Sequence, residues 1–175
     1  MISEAQHDSL RAKYSPDGSP LRRQQERMLE ILCEIDRICK KHGIRYWLSS
    51  GTLIGAVRHG GFIPWDDDLD ICMLSKDYKK FLEIASDELP EWLFIQNKST
   101  DPSYRRSICK VRDLNSFFVE QYDDFSAPYK KGIFIDIFEM IEYPKVSRNT
   151  LKFLSRWSKK TDQFYNVRQY INFKN

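Results

Sequence analysis

The sequence predicts an α/β (α+β) fold, a small mixed sheet flanked by helices. Three observations lead there. Apolar residues recur at helical spacing between Met28 and Cys39. An apolar run at 69–74 of strand length is followed at once by a second helical pattern that stops at Pro90. Further short runs at 92–96, 107–112, 117–120 and 133–138 have the length of strands, not helices.

Residues 1–18 carry few apolar side chains and end in Ser15-Pro16-Asp17-Gly18, which predicts a flexible N-terminal arm. Residues 19–175 are expected to form a single domain. Ser19-Pro20 supplies an N-cap followed by Pro at the first helical position. Met28, Leu32, Ile35 and Cys39, with Leu29, Ile31 and Ile38 alongside, form the buried stripe of that helix. Lys40 and Lys41 suit its C-terminal dipole, and Gly43 ends it. Residues 44–49 read as a short strand, Ser50–Val57 as a turn entering a short helix, and His59-Gly60-Gly61 as a flexible loop. After the strand at 69–74, Ser75 is expected to cap a helix that buries Tyr78, Phe81, Leu82, Ala85 and Leu89. Asn115-Ser116 marks a turn, and the chain beyond Pro144 is basic and aromatic, with a helix expected from Thr150.

Bulk properties exclude some classes. A length of 175 residues, 41% hydrophobic and 30% charged, is that of one globular domain. A net charge of +3 makes no case for nucleic acid. The cysteines Cys33, Cys39, Cys72 and Cys109 lack C-x-x-C spacing, so neither a zinc site nor a dithiol motif is indicated. They read as buried free thiols in a reducing compartment. Met1–Tyr14 has no apolar signal core, and no window approaches the ~18 apolar residues of a membrane span. The expected location is the cytoplasm or the inner face of the cell membrane. Leu151–Lys160 reads either as a helix lying on an anionic membrane surface or as one packed on the domain.

The chemistry concentrates in Trp65-Asp66-Asp67-Asp68-Leu69-Asp70. Four carboxylates placed between a Trp and the apolar Ile71-Cys72-Met73-Leu74 call for an offsetting cation. Strand alternation sends Asp68 and Asp70 to one face and Leu69, Ile71 and Met73 to the core. Two such carboxylates can hold a hard cation, Mg²⁺ or Mn²⁺. Asp136, the lone charge in Gly132-Ile133-Phe134-Ile135-Asp136-Ile137-Phe138, is the third candidate ligand and catalytic group. The lesser alternative is a structural carboxylate paired with Lys110 or Arg112. Asp66, Asp68 and Asp70 also match the first three ligand positions of a calcium loop, but Ile71 stands where that loop needs Gly. Asp66 and Asp67 read either as ligands or as turn caps paired with Arg58.

Ser50-Gly51-Thr52 at a helix N-terminus has the character of a phosphate-binding turn. Arg58 and His59, flanking the glycine loop, are candidate phosphate ligands, against the alternatives of a surface Arg and a turn His. Lys110 and Arg112 alternate on one strand face and are either anion ligands or solvent-facing.

The run Ser50-Gly51-Thr52-Leu53-Ile54-Gly55-Ala56-Val57-Arg58-His59-Gly60-Gly61-Phe62-Ile63-Pro64-Trp65-Asp66-Asp67-Asp68-Leu69-Asp70-Ile71 resembles the signature of the LicD family, which is related to the fukutin-type proteins. Phe134–Phe138 resembles its second acidic strand and Lys110–Asp113 its basic strand. The resemblance runs from about Leu21 to Tyr143. It implies a nucleotidyltransferase-like fold in which a Gly-Ser/Thr turn precedes a metal-binding Asp-x-Asp. It further implies transfer of a phosphorylated alcohol, such as phosphocholine from CDP-choline, onto a glycan hydroxyl in cell-surface polysaccharide or lipopolysaccharide. Asp68 and Asp70 would then be metal ligands, and Asp136 a ligand or the base for the acceptor. Chains of the family usually continue further, so a truncated or minimal member is implied. The alternatives are a sugar-nucleotide glycosyltransferase using the same Asp-x-Asp, or an inactive binding module on the same fold.

Overall fold

The computed structural model describes residues 2–120, 124–141, 147–150 and 152–153. The chain divides into two units, Met1–Glu139 and Met140–Asn175. The expected tail at 154–160 lies outside the described residues; in the second unit, 148–150 are helical.

The first helix, α1, spans Glu4–Tyr14, where the low apolar content predicts a loose arm. Local hydrogen bonding makes the difference. Ser3 Oγ accepts the Gln6 amide and Gln6 Oε1 accepts the Ser3 amide, a reciprocal capping box. Glu4 in the first turn and Arg11 and Lys13 in the last suit the dipole. The helix buries no residue, but Tyr14 meets Trp65 edge-on at 5.2 Å.

Helix α2, Pro20–His42, follows the predicted bounds. Ser19 Oγ accepts the Arg22 amide, and Gly43 stops the helix in the left-handed region at φ 62°. Its buried face is Met28, Ile31, Ile35, Ile38 and Cys39, each such aliphatic side chain stabilising by about 1.5–3 kcal/mol. Strand β1 is only Trp47–Leu48. The longer strand expected at 44–49 is consumed at both ends: the Ile44 amide bonds back to Cys39 O, and Ser49 is the N-cap of α3, Ser50–His59.

Strand β2 is Asp70–Leu74 and leads directly into α4, Ser75–Glu88. Ser75 is not the cap; its hydroxyl donates to Glu139 at 2.5 Å. Strands β3 (Leu93–Gln96), β4 (Cys109–Asp113) and β5 (Phe134–Met140) complete a mixed five-stranded sheet of order β1-β2-β5-β4-β3. The fold is thus α/β, as predicted. The run at 117–120 is not a strand. Hydrogen bonds there close a loop: Ile133 N donates to Ser116 Oγ and Gly132 N to Phe118 O.

The pleat sorts the sheet into two faces. Ile71, Met73, Ile95, Val111, Ile135 and Ile137 join α2 and α4 in one core. Arg27 of α2 clamps Asp113 of β4 through two bonds of 2.7 and 2.9 Å, tying helix to sheet. Cys39, Cys72 and Cys109 are buried free thiols as predicted, whereas Cys33 is exposed. Among the described residues, no helix is long and apolar enough to cross a membrane.

Candidate active site

The sheet face away from α2 and α4 carries the polar residues. Asp70 on β2, Asp136 on β5 and Lys110 on β4 lie there, with Lys110 directly opposite Asp136 in the register. The Asp136 amide donates to Leu69 O at 3.0 Å, so Asp136 sits beside the residue between Asp68 and Asp70. Asp70 is 8% exposed, while Asp68 precedes the strand and is open to solvent. Because Asp70 belongs to a sheet strand, the calcium-loop alternative does not hold.

Electrostatics mark this cluster as short of positive charge. Burial pushes the Asp70 carboxyl up to about 7, and repulsion from Asp68 and Asp136 adds to it, against a hydrogen bond from Ser50. Burial likewise lifts Asp66 to about 6, with Asp68 and Asp67 contributing. Asp66 Oδ2 is buried without a hydrogen-bond partner among the described residues. Asp68 and Asp136 are also raised, in each case by burial first. A set of hard oxygen donors that raise one another in this way fits a divalent cation. Among the described residues, however, no three His, Cys, Asp or Glu side chains converge into a ready cage. Asp136 Oδ1 instead lies 3.0 Å from Lys110 Nζ, the structural pairing that the sequence left open.

The Ser50–Thr52 turn is locked to these carboxylates. Thr52 Oγ1 accepts the Asp70 amide at 2.9 Å, and the Ser49 amide donates to Asp70 O at 3.0 Å. Ser50 occupies a left-handed conformation, φ 49°, which is strained for a residue with a Cβ and typical of functional turns. Gly51 packs on Asp66 so tightly that an added Cβ would stand 2.7 Å from Oδ2. The positive end of α3 therefore faces the acidic cluster.

Arg58 and His59 do not join this turn. They close the same helix at its far end, about 12 Å along the axis from Ser50. Arg58 is exposed. His59 is 9% exposed, lies between His7 (5.6 Å) and Trp65 (6.2 Å), and has its charged form disfavoured by burial. Neither Asp66 nor Asp67 makes an ion pair with Arg58 among the described residues. The α3 helix takes in His59, the first residue of the stretch expected to be a loop, and its length separates the basic pair from the turn.

Lys110 and Arg112 face neither water nor an open cleft. Lys110 is 1% exposed and bridges Asp136 and Glu120, at 3.0 and 3.1 Å, above the Phe134 ring. Arg112 is fully buried, donating to Gln96 Oε1 at 2.5 Å and Gly132 O at 2.7 Å. Arg112 thus braces β3, β4 and the 132 turn, in place of the anion-binding role the sequence offered. Glu120 and Asp66 are site residues that sequence reasoning missed or left aside. Asp66 was legible as the first of three alternating aspartates; nothing local singles out Glu120.

Sequence comparison bears on this arrangement. Residues 43–174 match the family described as LicD/FKTN/FKRP, nucleotidyltransferase domain. The chain is 34% identical over 119 residues to the lipopolysaccharide cholinephosphotransferase LicD of Haemophilus influenzae, covering 67% of this chain and 43% of that protein. It is 28% identical over 109 residues to the human ribitol 5-phosphate transferase FKRP, covering 59% and 22%. It is 36% identical over 64 residues to the mouse ribitol-5-phosphate transferase FKTN, covering 37% and 14%. The chain therefore spans less than half the length of these relatives. The match across three-quarters of the sequence, together with the acidic strands and the turn that precedes them, shows that the chain belongs to the LicD family.

Proposed function

We propose that this domain transfers a phosphorylated alcohol from a CDP-alcohol, such as CDP-choline, to a glycan hydroxyl. The observation that carries the reading is the pairing of Asp136 with Leu69, which sets a third carboxylate beside Asp68 and Asp70. The activities of the relatives, a cholinephosphotransferase and ribitol-phosphate transferases, support the same reaction class.

In this reading Asp68 and Asp70 would hold Mg²⁺ or Mn²⁺, with Asp136 beside them. When bound, the cation neutralises the donor diphosphate and the departing nucleotide. The Ser50–Thr52 turn and the positive end of α3 receive the donor phosphates. Asp136 takes the proton of the acceptor hydroxyl, and Lys110 opposes the burial that would otherwise neutralise Asp136. The acceptor oxygen forms a bond to the phosphorus that carries the alcohol. The bond from that phosphorus to the bridging oxygen breaks, and CMP leaves. The product is a phosphodiester between alcohol and glycan.

The test is incubation of the chain with Mg²⁺ and a panel of CDP-alcohols, following CMP. Metal-dependent CMP release that rises with a glycan acceptor is the expected result. A sugar-nucleotide glycosyltransferase would give none, and silence across the whole panel, with and without acceptor, contradicts the proposal.

A further inference from the structure

A cavity of about 650 Å³ opens between the β3–β4 and β4–β5 connections, within the size range of small-molecule sites. Its walls include Tyr104, Arg105, Arg106 and Tyr129. Tyr104 and Tyr129 meet edge-to-face at 5.9 Å. Tyr104 is 1% exposed, and its buried hydroxyl has no hydrogen-bond partner among the described residues. A buried hydroxyl left without a partner in a cavity wall is costly and suits a site that takes a polar ligand.

The cavity connects to the acidic face. Arg106 Nη1 stands 3.8 Å from Glu120 Oε2, the same oxygen is 3.1 Å from Lys110 Nζ, and that ammonium is 3.0 Å from Asp136. The Asp136 carboxylate also acts on the Tyr104 phenol, after burial the largest influence on it. Sheet order gives this link a direction. The Ser50–Thr52 turn adjoins β2 on one side of β5, whereas the cavity residues flank β3 and β4 on the other. Donor phosphates held at the turn leave the cavity side of Asp136 for the second substrate.

The cavity's charge indicates what that substrate carries. Arg105 and Arg106 line it, and Asp124, the one acidic wall residue among the described residues, has its carboxylate engaged by the Ser126 amide and hydroxyl at 2.9 and 2.6 Å. Arginines beside a tyrosine ring suit an anionic sugar, the guanidinium groups taking the anion and the half-buried Tyr129 ring packing on a sugar C–H face. We propose that this cavity is the acceptor subsite and binds a glycan unit bearing a phosphate group. The inference rests on the transfer reaction proposed above and adds the location and chemical class of the acceptor.

The test is calorimetric titration of the full chain with glucose 6-phosphate, glucose and inorganic phosphate. Glucose 6-phosphate should bind roughly tenfold more tightly than either simpler probe, because only it engages both the Tyr129 ring and the arginines. Arg105→Gln and Arg106→Gln should each weaken that binding by about tenfold or less, and together by more, with melting temperature and CDP-choline binding unchanged. Arg105→Gln serves as the variant that leaves the Glu120 pair intact. Equal binding of inorganic phosphate, unchanged affinity in both variants, or displacement of glucose 6-phosphate by CDP-choline each overturns the assignment. Absence of CMP release from every CDP-alcohol would sink the transfer reaction while leaving these binding results readable.

Discussion

Replacing Asp70 with Asn should make the metal-free protein more stable. Asp70 is raised from 3.8 to about 7, chiefly by burial and then by Asp68 and Asp136. A shift of about three units corresponds to a ceiling of about 4 kcal/mol. Solvent at the open Asp68 side and relaxation of the side chains reduce this to about 1–2 kcal/mol. The sign follows from proton binding. Between the unfolded and folded pKa values the native state holds a proton that the unfolded chain has lost. The Asp70 contribution is therefore fully present below about pH 4, declines as pH rises, and is gone above about pH 7. Asn does not titrate, and its Oδ1 can still accept from Ser50. Thermal unfolding in EDTA from about pH 4 to 8 should show Asp70→Asn gaining roughly 2–8 °C over the parent at the alkaline end, with the gap closing in acid. A variant that melts below the parent near pH 8, or a gap independent of pH, refutes the reasoning.

Other outcomes follow from the same contacts. Gly55→Ala would place a Cβ 2.5 Å from Gly61 O and 2.8 Å from Ile63 N, both backbone, so urea unfolding should show a loss of about 1–3 kcal/mol or more. Arg27→Met strips the bidentate partner from Asp113, whose side chain is 2% exposed, and should cost about 3 kcal/mol at neutral pH. Burial raises Asp113, but Arg27 and the Asn115 amide outweigh it and hold the carboxyl below its usual range. That stability is present above the ordinary carboxylate pKa and is lost as pH falls through the lower folded value, so the deficit should narrow in acid. Thr52→Val strands the buried Asp70 amide; the expected loss is about 1–3 kcal/mol, with faster hydrogen exchange at that amide.

The parts of the fold that were legible in sequence are those governed by local rules. Ser19-Pro20 and Gly43 bound α2 because capping depends on adjacent residues alone. Helix α1 obeys the same rule through its Ser3–Gln6 capping box, a local signal that a reading based on apolar content alone passes over. The run at 117–120 has strand composition, yet a strand also needs a ladder partner, and that depends on residues far along the chain. Within the site, the backbone bond from Asp136 to Leu69 sets Asp136 next to Asp70 across β5 and β2, whereas Asp68 precedes β2, so strand alternation does not fix its direction. Arg58 and His59 flank the glycines as their sequence position indicates, but their distance from Ser50 was not legible because it depends on where α3 ends, and that helix runs through His59 to stop at Gly60. Lys110 looked like a ligand for an external anion; the partners that claim it, Asp136 and Glu120, lie 26 and 10 residues away in sequence.

The central claim is tested most directly by CMP release from a CDP-alcohol in Mg²⁺, measured for the parent chain beside Asp68→Ala. Asp68 is open to solvent, so its removal leaves the core intact and isolates its role toward the metal. The account predicts Mg²⁺-dependent release by the parent and a loss of about a hundredfold or more in the variant. Undiminished metal-dependent release by Asp68→Ala would contradict it.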